Sequence, residues 1–225
     1  PTCLPVTYWS DPICIWAFVA QPRLEAIMAS YGPRITLELR IVPVFGSVPQ
    51  RFLDGNWRDA DPEGQAQITR EVAQRHGRDD VSGQVWIDDP PASSWSVGAA
   101  VKAAQALEAS GQSPRASSAD YLWRLREAFF RDNRNTARRA TQLAVAEETG
   151  LPVDALAAAL DDGTALAALF EDFDTRNQQQ IQGSPTWVFD GGRAKLYGNF
   201  AQEILHATVE ALVANLDPSG SPCNC

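Results

Sequence analysis

Histidine and methionine are scarce in this chain, with two of the first and one of the second in 225 residues, and cysteine stands at only four positions. His76 and His206 sit apart on helical stretches with no ligand-spaced partner, so no metal site of ordinary composition is expected and both read as packing or surface residues. The cysteines, at 3, 14, 223 and 225, are too few and too unevenly spaced for a secreted disulfide scaffold. A cytoplasmic, reducing location is the expectation. Positive charge is also short: 19 Lys and Arg face 28 Asp and Glu, a net charge of -9. A nucleic-acid surface needs clustered cations, so no nucleic-acid partner is expected. No apolar run approaches the roughly 20 residues of a membrane span, and residues 1–9 carry neither a basic leader nor a signal-length apolar stretch. A soluble protein without a membrane partner is expected. Spacing supports no Ser-His-Asp triad, and Gly191-Gly192 is a turn pair rather than a phosphate loop.

What is present is apolar content of 44%, enough at this length to bury a large core without disulfide staples, as one domain or a domain with an insertion. The run Pro5-Val6-Thr7-Tyr8-Trp9 reads as a buried strand that stops at Ser10-Asp11-Pro12, a helix-start signal. Cys14 follows at once. Residues 13–30 suit a helix that Pro22 should kink. Over 34–45, Ile35, Leu37, Leu39 and Ile41 alternate onto one face, the period of a second strand.

From residue 61 to 180 the pattern turns helical, with helices over 62–76, 95–109, 117–131, 136–149, 153–160 and 164–180, and Gly111, Gly150 and Gly163 at the breaks. Strand periodicity returns over 186–189 and 194–197, joined by Asp190-Gly191-Gly192 as a hairpin. A helix over 200–216 and a tail over 217–225 close the chain. The organisation expected is therefore β-α-β over 1–60, a helical insertion over 61–180, β-β-α over 181–216, and the tail.

Cys14 is the chemical candidate. A sulfur at a helix N-terminus faces unpaired backbone N–H groups and the positive end of the macrodipole, and both favour thiolate over thiol. A carboxylate at Asp11 acts in the opposite sense if it lies close. Trp57, Trp86 and Trp95, early in the insertion, could roof an apolar substrate pocket.

This element order, with a cysteine at the first helix start and Gly183-Ser184-Pro185-Thr186 before the third strand, resembles the DsbA-like thioredoxin-fold family over nearly the whole chain. Its cytosolic oxidoreductase branch is the nearest in pattern, related to the 2-hydroxychromene-2-carboxylate isomerases and kappa-class glutathione transferases. There the opening motif is Ser-Asp-x-x-Cys-Pro-Trp-Cys-Tyr. Here Ser10-Asp11-Pro12-Ile13-Cys14-Ile15-Trp16-Ala17-Phe18 follows it with Ile15 for the proline and Ala17 for the second cysteine. Residues 129–152 (FFRDNRNTARRATQLAVAEETGLP) are similar to the branch's late helical segment.

The resemblance implies an α/β thioredoxin fold with a helical insertion domain and Cys14 as the catalytic thiol. It also implies a substrate-binding surface from Trp16, Ser184, Pro185 and Thr186, with a cis bond before Pro185. Such a bond leaves the N–H and C=O of the preceding residue open to an extended peptide or to the cysteinyl part of glutathione.

A dithiol enzyme clears its mixed disulfide with its own second thiol, and Ala17 removes that route. The expected activity is monothiol exchange through Cys14, with a protein or small-molecule thiol or disulfide as substrate. No bound cofactor is expected, and glutathione or another small thiol serves as cosubstrate. A glutathione-dependent isomerase or transferase is the alternative. It is weakened because the isomerases and transferases carry serine in place of Cys14, and because Tyr197-Gly198-Asn199-Phe200-Ala201 lacks the acid and arginine of their Trp-Gly-x-Asp-Arg motif. A redox-inert binding module is the third reading, and a homodimer stays open. In the family's topology the first strand rises about 20 Å from Cys3 to the active-site edge. The last helix descends to roughly 25 Å below Cys14, and the tail spans at most about 30 Å. A disulfide from Cys3 to Cys223 or Cys225 is therefore expected in an oxidising compartment.

Overall fold

The computed structural model describes residues 3–55 and 61–216. Its elements run β1 (Leu4–Ser10), α1 (Ile15–Tyr31), β2 (Ile35–Ile41), α2 (Val48–Asp54), α3 (Pro62–Arg75), α4 (Val85–Asp88) and α5 (Trp95–Ala109). They continue as α6 (Ser117–Phe130), α7 (Arg139–Glu148), α8 (Val153–Asp161), α9 (Thr164–Gln178), β3 (Thr186–Phe189), β4 (Ala194–Tyr197) and α10 (Gln202–Leu216). The four strands form one mixed sheet in the order β2-β1-β3-β4. β1 lies parallel to β2, with Tyr8 opposite Leu39, and antiparallel to β3, with Tyr8 opposite Trp187. β3 and β4 pair as an antiparallel hairpin.

Period-two alternation in β1 sends Leu4, Val6 and Tyr8 to one face, where they meet Leu24 and Ile27 of α1 and Leu205 of α10. Trp9 points to the other face, against Val42, Ile181 and Val188. The other side of α1 belongs to a second and larger core: Ile15, Phe18 and Val19 pack there with Trp86, Phe129 and Phe130 of the insertion. A helix apolar on both sides is one buried between two layers, and α1 occupies that place. Pro22 leaves the helix continuous as an element, while Arg23 Nη1 donates to Val19 O at 3.3 Å near the missing amide.

The insertion is tied to the edge strand by Asp172 of α9, which is buried. Its Oδ2 accepts from the Ile41 amide at 2.9 Å and pairs with Lys102 Nζ at 3.0 Å. Its Oδ1 takes Arg40 Nη1 at 3.2 Å.

Two local expectations are corrected. β2 stops at Ile41, short of the expected 45, because Pro43 has no ladder donor and the backbone beyond is committed elsewhere. Val42 N–H goes to Ser10 O at 3.2 Å, Val44 N–H to Asp11 Oδ2 at 2.7 Å and Phe45 N–H to Ser94 Oγ at 3.3 Å. Helix α2, not expected, is capped by Ser47, whose side chain accepts from Gln50 N–H; Ser47-Val48-Pro49-Gln50 is a capping-box pattern too short to show helical periodicity.

Candidate active site

Cys14 is the N-cap of α1, in extended geometry (φ -83°, ψ 117°), directly after the C-terminal end of β1. Asp11 builds the turn between them. Its carboxylate is fully buried and accepts from Ile13 N–H at 2.8 Å and from Val44 N–H at 2.7 Å. On the neighbouring strand, the turn before β3 brings Ser184 alongside. Ser184 Oγ accepts from the Asp11 amide at 2.9 Å, and the Cys14 thiol donates to Ser184 O at 3.4 Å. The Ser184-Pro185 peptide bond is cis. Ser184 N–H has no acceptor among the described residues, and the residue is half-buried.

The electrostatics correct the expectation of an activated thiol. Cys14 is only 6% exposed, and burial pushes its pKa up. The Asp11 carboxylate adds in the same direction, while the Ser184 side chain and the N–H groups of Ala17 and Trp16 pull it back. The helix-start amides do face the sulfur, but desolvation outweighs them. Asp11 is itself held above the ordinary carboxylate range by burial, against its hydrogen bonds and the charge of Arg126.

The thiol opens into a cleft of about 370 Å³ whose lining includes Trp16, Phe45, Ser184 and Tyr197. Its cationic groups are Arg51 and Arg176, and its amides are Gln65 and Gln182. The Arg51 guanidinium lies 4.8 Å from the Phe45 ring. Arg176 is braced by Nε donating to Ile181 O at 3.2 Å and by Phe173 at 5.8 Å. Larger hollows, of about 550 and 620 Å³, run along β2 and contain no thiol. At the rim, Trp16 meets the His76 ring edge-on at 5.9 Å. His76 Nδ1 bonds Val72 O at 2.8 Å. A carbonyl only accepts, so the proton sits on Nδ1, which leaves Nε2 to accept from Asn199 Nδ2 at 3.3 Å.

Of the residues expected at the site, Cys14, Trp16 and Ser184 line one cleft. Pro185 and Thr186 stand behind it. Pro185 O accepts from Gly198 N–H at 2.9 Å, and the buried Thr186 turns its hydroxyl to Gly183 O at 2.7 Å, so both shape the loop rather than face the cleft. The position of the second family cysteine, Ala17, is fully buried. The tryptophan roof is corrected: Trp86 is core, Trp95 packs on Phe173 at 5.4 Å, and Trp57 lies outside the described residues. Cys14 is the one free cysteine among the described residues. Cys3 is disulfide-bonded, and Cys223 and Cys225, its expected partners, lie outside the described residues. Among the described residues no three His, Cys, Asp or Glu side chains cluster as metal ligands, and no helix is long and apolar enough to cross a membrane.

The cationic and amide lining escaped the sequence reading. Arg51, Gln65, Arg176 and Gln182 come from α2, α3, α9 and the following loop, and only packing brings them to Cys14.

A cysteine at the first helix start, a cis-proline turn beside it and a helical insertion between the two halves of the sheet define a thioredoxin-fold protein of the DsbA class. The chain belongs to the DSBA-like thioredoxin domain family, whose pattern matches residues 5–210, a family of thioredoxin-fold oxidoreductases. It is 28% identical over 182 residues to the ClpXP adapter protein SpxH of Halalkalibacterium halodurans, a match covering 80% of this chain and 56% of that protein. The chain thus spans little more than half the length of that curated relative. Among solved structures, a candidate protein disulfide isomerase from Nitrosomonas europaea superposes with a TM-score of 0.76 at 17% identity, covering 96% of this chain and 100% of that one. The cytosolic disulfide reductase DsbM from Pseudomonas aeruginosa gives 0.64 at 22% identity, covering 94% and 96%. At these identities the solved structures show a shared fold.

Proposed function

We propose that the protein is a monothiol thiol-disulfide oxidoreductase that works through Cys14 and a mixed disulfide with an anionic small thiol of the glutathione type. The observation that carries this is the composition of the Cys14 cleft: one thiol, no second sulfur at Ala17, the unused Ser184 N–H, and two guanidinium groups. The Cys14 thiolate attacks one sulfur of a disulfide, forming Cys14–S–S–R and releasing the other half as a thiolate. An external thiolate then attacks the mixed disulfide, regenerates Cys14 as the leaving thiolate and departs as a new disulfide. Arg51 and Arg176 supply positive potential for the carboxylates of a peptide thiol and for the sulfur anions on either side of exchange. Ser184 N–H offers the edge donor that an extended cysteinyl peptide would use.

Intact-mass analysis after exposure to oxidised glutathione tests the reading, with Cys14→Ser as control. One glutathionyl adduct on the wild type, absent from Cys14→Ser and removed by reduced glutathione, is expected. An Arg176→Gln variant should form the adduct roughly fivefold to tenfold more slowly at low salt, and the difference should shrink as salt rises.

A second reading, a redox-inert binding module, is favoured by one observation: the thiol is buried, which disfavours the thiolate. It predicts no adduct. Glutathione bound without any adduct would favour isomerase or transferase chemistry instead.

A further inference from the structure

A further cavity, of about 180 Å³, lies between α1, β2 and α6, apart from the Cys14 cleft and beside the larger hollow along β2, with which it shares Met28, Leu37 and Leu39. Its walls are mostly apolar, with Leu24 and Met28 from α1, Leu37 and Leu39 from β2 and Leu122 from α6, while Gln21 and Glu25 of α1, hydrogen-bonded to each other, complete the lining. Among them stands one cation, Arg126 of α6. That side chain is 1% exposed. Its Nη2 donates to Ser10 Oγ at 2.7 Å, a neutral hydroxyl, and its Nε is buried with no partner. Among the described residues no carboxylate stands within ion-pair distance of it.

The Tyr8 hydroxyl, also buried and without a partner, is close enough to feel the charge. Burial raises Tyr8 and lowers Arg126, and each acts on the other in the opposite sense. Asp11 offsets the charge only from a distance, since its own oxygens are taken by Ile13 and Val44.

A guanidinium presents five donors in a planar fork suited to a carboxylate, and burying it unpaired is costly. An inorganic anion would meet the cation but lose its water against leucine walls. The void is comparable to the ~150 Å³ apolar cavity that holds a benzene ring. Glu25, exposed on α1 and part of the same lining, repels a second carboxylate at the outer end of an occupant. We propose that this slot binds a small monocarboxylate with an apolar tail, its head group on Arg126 and its tail along Leu24, Leu37, Leu39 and Leu122.

Isothermal titration of the full chain with sodium hexanoate, and with 1-hexanol as the uncharged match, tests the assignment. Saturable hexanoate binding is expected, with 1-hexanol at least roughly tenfold weaker. Arg126→Met removes the cation and leaves an apolar side chain of similar length, at the cost of the hydrogen bond to Ser10 Oγ. Leu24→Phe fills the slot and keeps the cation. Thermal melting establishes that each variant is folded, and in both the hexanoate affinity should fall at least roughly tenfold. The proposal is overturned if the wild type shows no saturable binding below about 10 mM. It is equally overturned if 1-hexanol binds as tightly as hexanoate, or if hexanoate affinity survives in either folded variant.

Discussion

The Cys14 thiol donates to the carbonyl oxygen of Ser184, 3.4 Å away, across 170 positions of sequence. This contact joins the two halves of the thioredoxin fold at the candidate thiol. It also sets the resting state: the sulfur is buried and its proton is engaged with the Ser184 backbone. Reactivity therefore depends on what reaches the cleft, and the environment of Cys14 sets its pH dependence.

Burial and Asp11 hold the Cys14 pKa above its ordinary value of 9.0. At neutral pH, iodoacetamide should modify Cys14 more slowly than free cysteine, with the rate climbing only above the range in which free cysteine ionises. The folded pKa exceeds the unfolded one. The thiol therefore contributes stability that is complete below the unfolded value and is lost as pH rises through the folded value. Cys14→Ala should remove that alkaline loss. Faster labelling than free cysteine near pH 6, which the helix-start position alone would lead one to expect, would contradict this picture.

Asp11→Asn separates the two roles of the carboxylate. An amide has one acceptor oxygen where Ile13 N–H and Val44 N–H both need one, so urea denaturation should show a loss of about 1–3 kcal/mol. With the negative charge gone, the Cys14 pKa should fall and alkylation near pH 8 should accelerate. The wild-type Asp11 pKa is raised by burial, so its contribution to stability declines as pH rises through that pKa. The gap between wild type and variant should narrow in the same direction.

Ala17→Cys restores the second thiol at the position from which the family's dithiol enzymes resolve mixed disulfides. The variant should form an internal disulfide with Cys14, detectable as a loss of two titratable thiols on oxidation, and should reduce insulin catalytically where the wild type does not. Because Ala17 is fully buried, a stability cost of about 1–3 kcal/mol is expected for the reduced variant. If two thiols remain free under an oxidised glutathione buffer, the site geometry does not support dithiol chemistry.

Gly83 and Gly77 provide an internal comparison. Both have positive φ, 72° and 70°, but a Cβ at Gly83 would lie 2.6 Å from the Ala66 carbonyl oxygen, whereas at Gly77 it would meet nothing within 4 Å. Gly77→Ala should cost about 1 kcal/mol for the left-handed backbone alone. Gly83→Ala should cost at least about 2 kcal/mol, because it adds a collision with the α3 backbone at Ala66, against which the turn before α4 packs. Equal midpoints in urea would show that this contact does not constrain the insertion.

The sequence by itself determined the architecture, because the information needed is local: alternation in Leu4, Val6 and Tyr8, helical periodicity across the insertion, and the Gly183-Ser184-Pro185 turn each report the environment of one element. It also determined that Cys14 stands at a helix start and that position 17 carries no second sulfur. What the tertiary structure decided is non-local. Whether a helix-start cysteine is activated depends on how much water reaches it and how near Asp11 lies, and both follow from the packing of α1 between sheet and insertion. Arg51 and Arg176 are ordinary surface arginines in sequence until α2 and α9 bring them to the same cleft. Arg126 reads as one charged position on the helix over 117–131, and only the burial of α6 against α1 and β2 turns it into a cation beside an apolar cavity. Charge and desolvation act through space, so a residue's chemistry was fixed by neighbours far away along the chain.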